Sequence, residues 1–266
     1  MRLLAALHYL QLAGQVSWDD ISGALDQHAE FLARFTAEQE VQTNEVQRAW
    51  ALLPGFLTVA DGRPFDLLEL GPSAGLNLVW DRYRYRYATG TWGEGALELA
   101  GDDRTPPPAE LLQRSVSVAR RRGIDLNPVD ATTDHGARLL QAFVWADQAE
   151  RLERLRRAIE EVRADPPELM RGDYVESLPA LLGDRREGVQ LVVFQTASTM
   201  YVERGGMDRV RAALEEAAHD EPLVYVGGGT APDDDGFALD IERYPGGGRQ
   251  RLGVFDFHGE WLDWGK

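Results

Sequence analysis

The stretch LLELGPSAGLNL, residues 67–78, decides how the rest of the chain is interpreted. Its apolar run carries the acid Glu69, and a tight Gly-Pro-Ser-Ala-Gly turn follows, before a segment that can begin a helix. As G-x-S-x-G, the turn predicts a serine nucleophile on a strained elbow between a strand and a helix. As E-x-G-x-x-x-G, it predicts a loop whose glycines let a nucleoside cofactor lie against the backbone. The two patterns predict different enzymes, so the choice depends on the remaining sequence.

The chain after about residue 62 alternates short apolar runs with helical stretches. Runs that end near Leu70, Asp125, Asp173, Gln195 and Val226 have the apolar character of buried parallel strands. The stretches between them predict crossover helices, so we expect an α/β fold with a doubly wound, mostly parallel sheet. The last two runs, FALDIERY and RLGVFDFHGEW, stand on either side of a glycine turn and predict an antiparallel hairpin that ends the sheet.

The N-terminal part contains helical patterns and no strand-like run, which predicts a helical cap over residues 1–61 and a second domain over residues 62–266. The first expected helix of the cap carries Leu3, Leu4, Leu7 and Leu10 on one face, and the second is capped by Ser17. A capping box at Thr36 and Gln39 is expected to open a third segment. The final helix is expected to end at Pro54.

An insertion of about residues 82–113 follows the first strand and its helix. Arginines at positions 82, 84 and 86 alternate with tyrosines at 83, 85 and 87, so an extended chain places the tyrosines on one side. Such interleaving can form a stacking surface for nucleic-acid bases. The acidic chain favours the other interpretation, an inserted β-hairpin that packs its tyrosines and exposes its arginines to solvent.

The composition excludes several classes of function. The net charge of −16 repels phosphate backbones, so we expect no nucleic-acid partner. The chain has no cysteine, and Lys266 is its only lysine, which excludes thiol, Schiff-base and P-loop lysine chemistry. Five scattered histidines predict no metal site, and the acidic run at positions 233–235 predicts a solvated turn. No apolar run approaches the length of a membrane span, so we expect a cytoplasmic protein without a membrane partner.

The serine-nucleophile interpretation requires a triad and an oxyanion hole. Ser73, Asp240 and His258 occur in the chain order of an α/β-hydrolase triad. However, the strand before Ser73 is predicted to be the first of the sheet, so no loop after an earlier strand can supply the second oxyanion donor. The serine hydrolase therefore remains an alternative function.

The cofactor-loop interpretation gains support from acids at later strand ends. Ser73 stands where a dinucleotide loop has its second glycine, so a cofactor without a pyrophosphate fits better. Glu69, Asp125 and Asp173 end or follow the first three predicted strands, and the carboxyl ends of parallel strands meet at one edge of a sheet. Asp125 is placed to accept the ribose hydroxyl groups, whereas Asp173 fits a ligand contact and a helix N-cap equally.

These segments resemble known motifs. Residues 69–75, GIDLNP and RGDYVESLP are similar to the first three motifs of the class I S-adenosylmethionine-dependent methyltransferases. QTNEVQRAWALLPG, LLELGPSAGLNLVWDRYRY, RRGIDLNPVD and FVWADQAERLERL more closely resemble a bacterial family of unknown function grouped with that superfamily, over nearly the whole chain. The resemblance implies a Rossmann-like fold and S-adenosylmethionine as cofactor. The family positions that bind the cofactor match Glu69, Gly71, Ser73, Gly75 and Asp125.

Two departures from the methyltransferase pattern matter. Ser73 replaces a common glycine, and VVFQTASTMYV lacks the [DN]-P-P-[YF] signature of enzymes that methylate amino groups of nucleic acids. We therefore expect a small-molecule or peptide acceptor. The cofactor-binding set is Glu69, Gly71, Ser73, Gly75, Asn77, Asp125 and Asp173. The expected substrate-binding residues are Asn44, Arg48, Gln195 and Thr196, and the candidates for catalysis are Glu45, Tyr201 and His258. A non-catalytic nucleoside-binding module of the same fold is a further alternative, because no residue after the fourth strand is an obvious base.

Overall fold

The structure is a computed structural model that describes residues 1–41, 44–230 and 235–266. It divides into two compact units: unit 1 is Met1–Asn44 with Val129–Pro166, and unit 2 is Glu45–Pro128 with Pro167–Lys266. This division differs from the predicted domains, 1–61 and 62–266. The last predicted cap helix belongs to unit 2, and the crossover helices after residue 128 belong to unit 1. Asp233 and Asp234 of the predicted solvated turn lie outside the described residues.

The elements follow in chain order. The α-helices are α1 (Arg2–Leu12), α2 (Ile21–Gln27), α3 (Ala29–Glu38), α4 (Arg48–Val59), α5 (Asp134–Ala142), α6 (Ala149–Ala164), α7 (Tyr174–Gly183) and α8 (Gly206–Ala217). The strands are β1 (Phe65–Leu70), β2 (Arg84–Tyr87), β3 (Gly90–Trp92), β4 (Glu98–Ala100), β5 (Asp102–Thr105), β6 (Val118–Asp125), β7 (Glu168–Arg171), β8 (Gln190–Thr196), β9 (Leu223–Thr230), β10 (Phe237–Tyr244), β11 (Gly248–Phe255) and β12 (Trp261–Trp264). No described helix is both long and apolar enough to cross a bilayer.

Unit 1 is helical, and its core joins α1 and α3 to α5 of the second stretch. Leu7 and Leu10 lie in this core, but the first turn of α1 leaves Leu3 and Leu4 exposed, so the predicted four-leucine face is only half buried. The hydroxyl group of Ser17 accepts the amide of Asp19 and caps the 3-10 turn Trp18–Asp20. The predicted cap of the second helix is therefore misplaced, because α2 is capped by Asp20, whose carboxylate accepts the amide of Gly23.

Two further predictions within the N-terminal helices were wrong. The predicted second helix is divided at His28 into α2 and α3. The capping box at Thr36 and Gln39 does not form, because Thr36 lies inside α3 and donates its hydroxyl to the carbonyl of Leu32. A threonine that bonds the preceding turn in this way continues a helix and cannot begin one.

Unit 2 contains a nine-stranded sheet with the order β5-β12-β11-β10-β9-β8-β1-β6-β7. Five neighbouring strands at one end of this sheet, β7, β6, β1, β8 and β9, are parallel to one another. Across the sheet, these five therefore stand in the order 3-2-1-4-5 when they are numbered along the chain. β10, β11 and β12 continue the sheet in antiparallel pairs, so the predicted terminal hairpin is confirmed. The architecture is mixed α/β with a large, mostly parallel sheet and helices.

The inserted segment contains the predicted hairpin and more. β2 pairs with β3 and β4 in a small separate sheet, and β5 joins the edge of the main sheet beside β12. Tyr85 and Tyr87 are buried, whereas Arg84 and Arg86 are exposed and both pair with Glu98. The tyrosines therefore pack and the arginines face solvent, as the hairpin interpretation required.

Helix α4 does not end at Pro54, which was predicted to break it. A proline inside a helix removes the amide that would bond the carbonyl four residues earlier, here that of Trp50. The hydroxyl group of Tyr87, which belongs to the inserted hairpin, donates to this carbonyl. A side chain distant in sequence thus satisfies the buried acceptor, and the helix continues to Val59.

The two faces of the main sheet are covered differently. α7 and α8 pack over one face in a core that includes Leu68, Leu70 and Val193. On the other face, the Phe56 ring of α4 stacks on Trp80 at 4.5 Å. β1 is followed by a 3-10 segment, Leu76–Arg82, and not by the expected α-helix. The hydroxyl groups of Tyr83 and Tyr85 donate to the carbonyls of residues 76 and 80. They replace the backbone amides that would bond these carbonyls in an α-helix.

Candidate functional site

The candidate site lies in unit 2 at the carboxyl ends of the parallel strands. The strand order reverses between β1 and β8, because β6 and β7 lie on one side of β1 and the later strands lie on the other. In open α/β sheets, ligands bind in the crevice outside the carboxyl ends of the strands at such a reversal. The loop that follows β1, residues 71–75, therefore starts at this position.

The backbone of this loop requires its glycines. Gly71 and Gly75 have φ angles of 77° and 74°, in the left-handed region that favours glycine. A Cβ atom at position 71 would lie 2.5 Å from the Cβ of Ser198, and one at position 75 would lie 2.7 Å from the Cγ of Pro167. Ser73 also has a positive φ, 51°, which is uncommon for a residue with a side chain. The loop is thus a tight turn pressed against its neighbours.

Asp125, the last residue of β6, fixes the loop in place. Its Oδ2 accepts the amide of Ser73 at 2.8 Å, and its Oδ1 accepts the amide of Asn127 at 2.8 Å. The side chain is partly exposed, and each carboxylate oxygen can accept a further hydrogen bond. The structure thus brings together the two predicted cofactor-binding positions, 73 and 125, which are far apart in the sequence.

Glu69 is buried, with only 2% of its surface exposed. Burial raises the pKa of Glu69 to about 8, and the negative charge of Asp125 adds to this rise, whereas a hydrogen bond from Asn77 and the positive charge of Arg48 lower it. Within the described residues, Oε2 of Glu69 and Oδ1 of Asn77 are buried without a hydrogen-bond partner. An unpaired buried polar atom costs about 1–3 kcal/mol, and Glu69 and Asn77 place two such atoms on either side of the loop in sequence.

Two predicted residues at the start of α4 belong to unit 2. The Nε of Arg48 donates to the carbonyl of Phe257 at 2.7 Å, and Glu45 is buried and accepts the amide of Gln47. Asn44 is the last residue of the first stretch of unit 1, and its side-chain nitrogen is buried without a hydrogen-bond partner among the described residues. Among the predicted substrate-binding residues, Arg48 is the one whose charge acts on Glu69.

The end of β8 forms the other side of the loop. Gln195 and Thr196 are buried, and Gln195 is hydrogen-bonded to the hydroxyl group of Tyr225. Ser198 donates its hydroxyl to the carbonyl of Leu70 at 2.7 Å, which places the segment after β8 directly against the segment after β1. Gln195 and Thr196 therefore support the site from within the sheet.

The remaining candidates are more dispersed. Tyr201 is 85% exposed. His258 is half-exposed, with its Nδ1 3.9 Å from Asp256. Asp173 accepts the amide of Val175 and caps α7, which is one of its two predicted roles. Sequence reasoning did not single out Phe257, which lay inside the predicted strand RLGVFDFHGEW. In the structure β11 ends at Phe255, and the carbonyl of Phe257 in the following turn holds Arg48, a backbone contact that no side-chain pattern marks.

The triad required by the serine hydrolase is not assembled. Both carboxylate oxygens of Asp240 bind arginines of β11, Arg249 and Arg251. Among the described residues, His258 makes no hydrogen bond with Asp240 or with Ser73, and its charged neighbour is Asp256.

In the same residues, no group of three or more acidic or histidine side chains is arranged to hold a metal ion.

The chain belongs to the bacterial family described as "Uncharacterized protein conserved in bacteria (DUF2332)", whose family model matches residues 1–264. No curated protein and no solved structure matches the chain.

Proposed function

We propose that the protein is an S-adenosylmethionine-dependent methyltransferase that acts on a small molecule or a peptide. The observation that carries the proposal is the pair of acids at the strand reversal. Glu69 has a buried oxygen without a partner, and Asp125 holds the loop between residues 71 and 75 through the amide of Ser73. The parallel strand order agrees with a Rossmann-like fold, in which a nucleoside cofactor lies at this position.

The residues present fit such a cofactor. The unpaired oxygen of Glu69 can accept a hydrogen bond from a cationic or hydroxyl group, and the partly exposed carboxylate of Asp125 suits the ribose hydroxyl groups. Gly71 and Gly75 keep side chains out of a turn that already touches its neighbours. When bound, S-adenosylmethionine supplies an electrophilic methyl group.

The chain's own contribution is to bind and orient the reactants. Alignment of a nucleophile with the methyl group accounts for much of the catalysis of such a transfer. Arg48 is held by the carbonyl of Phe257, and its charge acts on Glu69, which favours it among the predicted substrate-binding residues. Glu45, Tyr201 and His258 stay the candidates for a general base, with Tyr201 the most exposed of the three. The net charge of −16 favours a small molecule or a peptide over a nucleic acid as the acceptor.

The serine hydrolase is the weaker candidate. Its single favourable feature is the positive φ of Ser73 in a turn after a strand. Against it, Asp240 is engaged by two arginines, and the amide of Ser73 is bound by Asp125. A fluorophosphonate probe that labels wild-type protein but not Ser73→Ala would reverse this preference.

The test is a calorimetric titration with S-adenosylmethionine and with S-adenosylhomocysteine. We expect both ligands to bind, and we expect Asp125→Asn to weaken binding by about tenfold or more, because a charged hydrogen-bond acceptor is lost. The matched control is Asp130→Asn, because Asp130 also accepts an amide two residues ahead but belongs to unit 1. This control should bind both ligands as the wild-type protein does.

Each other result has a distinct meaning. Failure of both ligands to bind the wild-type protein would refute the proposal. Equal weakening in Asp125→Asn and Asp130→Asn would show that the effect is unspecific. Tight binding without methyl transfer to a broad panel of acceptors would identify a non-catalytic nucleoside-binding module.

A further inference from the structure

The exposed apolar side chains of unit 2 are concentrated at one edge. Among its described residues, the large hydrophobic side chains that are exposed are Leu126, Met200, Tyr201 and Phe257, with exposures of 63%, 54%, 85% and 41%. Single exposed hydrophobic residues are normal on a protein surface and need no explanation. Here, however, each of the four follows the carboxyl end of a strand, β6, β8 or β11. β11 is antiparallel to β10 and thus runs in the same direction as β9, so all four residues lie at the edge that carries Glu69 and Asp125.

Chain neighbours of three of these residues bind the loop between residues 71 and 75 or the strand end before it. Leu126 directly follows Asp125, whose carboxylate binds the loop. Met200 and Tyr201 belong to the 3-10 turn that begins at Ser198, which bonds the carbonyl of Leu70. Because β8 and β6 are the two neighbours of β1 in the sheet, Tyr201, which follows β8, and Leu126, which follows β6, lie on opposite sides of the loop.

Phe257 approaches from a third direction. Its carbonyl accepts the Nε of Arg48, whose charge acts on Glu69, and its ring packs edge-on against Phe237 at 4.8 Å. This contact orients the Phe257 side chain, while 41% of its surface remains accessible to solvent.

Charge narrows the class of ligand that this edge can take. Three acids, Asp125, Asp173 and Asp256, end or follow strands at this edge, and they outnumber the two arginines there, Arg48 and Arg171, which donate to Phe257 and Asn127. The whole chain carries −16. An anionic ligand would meet repulsion there, whereas an amine or a neutral molecule would not. Exposed Met and Tyr side chains offer polarizable and aromatic contact surfaces.

We infer that Met200, Tyr201 and Phe257 bind the apolar part of the methyl acceptor, which is an amine or neutral molecule with an aromatic or aliphatic group. This inference rests on the proposed methyltransferase function, because it assigns the edge surface to the acceptor. It adds the substrate class, which the cofactor-binding residues do not determine.

Three probes separate what the aromatic ring contributes to binding from what the charge contributes. They are phenylpropylamine, propylamine, which lacks the ring, and phenylpropanoate, which has the ring and the opposite charge. Ligand-observed NMR titration of the whole protein gives their dissociation constants. We expect phenylpropylamine to bind measurably more tightly than both others, and Tyr201→Ala to weaken it by about fivefold, the effect of one aromatic contact. Met200→Ala should act in the same direction. Leu3→Ala removes a side chain that is also exposed, but in unit 1, and should leave binding unchanged.

The inference is overturned if Tyr201→Ala and Met200→Ala bind phenylpropylamine as the wild-type protein does, or if phenylpropanoate binds equally well. Because Tyr201 is so exposed, its replacement leaves the fold intact, so a loss of binding cannot be attributed to unfolding. The cofactor is titrated separately into each variant. If S-adenosylmethionine binds but phenylpropylamine does not, the acceptor surface is wrong and the methyltransferase proposal stands. If phenylpropylamine binds through Tyr201 but S-adenosylmethionine does not bind, the apolar ligand surface stands and its assignment to a methyl acceptor is wrong.

Discussion

Replacement of Glu69 by glutamine should change how the stability of unit 2 depends on pH. Burial and the nearby Asp125 raise the pKa of Glu69 to about 8 in the folded protein, from the ordinary value of 4.5. Between these values the folded protein holds a proton that the unfolded chain has released. The free energy of unfolding therefore falls as pH rises through this window, and the stabilisation is complete only below the lower value.

The size of the effect follows from the two pKa values. Each pH unit inside the window changes the free energy of unfolding by about 1.36 kcal/mol. Between about pH 5.5 and about pH 7.5, allowing for partial titration at both ends, the loss is about 2.5 kcal/mol. Glutamine cannot release a proton, so Glu69→Gln lacks this loss and should become more stable relative to wild type by that amount over the interval.

Urea unfolding, followed by tryptophan fluorescence at both pH values, measures this difference. Glu187→Gln is the matched control, because it removes an exposed carboxylate of the same unit. If the free energies of wild type and Glu69→Gln change in parallel with pH, Glu69 is ionised at neutral pH and the account of its burial is wrong.

Three further predictions concern stability measured by the same urea unfolding. Tyr87→Phe should cost about 1–3 kcal/mol, because the buried carbonyl of Trp50 loses its donor; an unchanged midpoint would show that water replaces the hydroxyl group. Gly71→Ala should cost about 1–2 kcal/mol from its left-handed backbone alone, and more from the clash with Ser198, so a neutral result would contradict the tight turn. Asp66 of β1 is buried and forms ion pairs with two buried arginines of β6, Arg120 and Arg122. Asp66→Ala should cost about 3–5 kcal/mol, since both arginines lose their shared carboxylate, and a cost near zero would refute that pairing.

Much of the sheet could be predicted because buried strands have a distinctive composition. The run QLVVFQT is buried along its whole length in β8, and only a strand covered on both faces has so continuous an apolar character. The inserted hairpin was predictable for the opposite reason. Its alternation of exposed arginine with buried tyrosine matches the period of two in a half-exposed strand.

The errors occurred where a distant contact overrides a local rule. Pro54 has the local character of a helix terminator, but the hydroxyl group of Tyr87 supplies the donor that the proline removes, and α4 continues. The short-range pattern at Thr36 matched a capping box, although the packing of α3 keeps that residue within the helix. No local pattern shows which helices share a core, as the packing of α1 against α5 illustrates.

The candidate site was predictable in its backbone but not in its environment. Glycines at 71 and 75 and an acid at the end of β6 follow from motif spacing, and the structure brings them together. The burial of Glu69 depends on the surrounding side chains, which no motif specifies. The exposed positions of Tyr201 and Phe257 likewise depend on where each strand ends.

Unit 1 is built from two stretches of chain that are synthesised at different times. The Nδ1 of His8 lies 3.0 Å from the carbonyl of Val144, and Leu139 completes the core around Leu7 and Leu10. A chain that leaves the ribosome from its N-terminus can pack α3 on α1 at once, but the part of this core that α5 covers stays open until α5 emerges. By that point β1 to β6 have already been made. Deletion of the first helices would consequently not remove a separable module; it would leave α5 and α6 with half of a core.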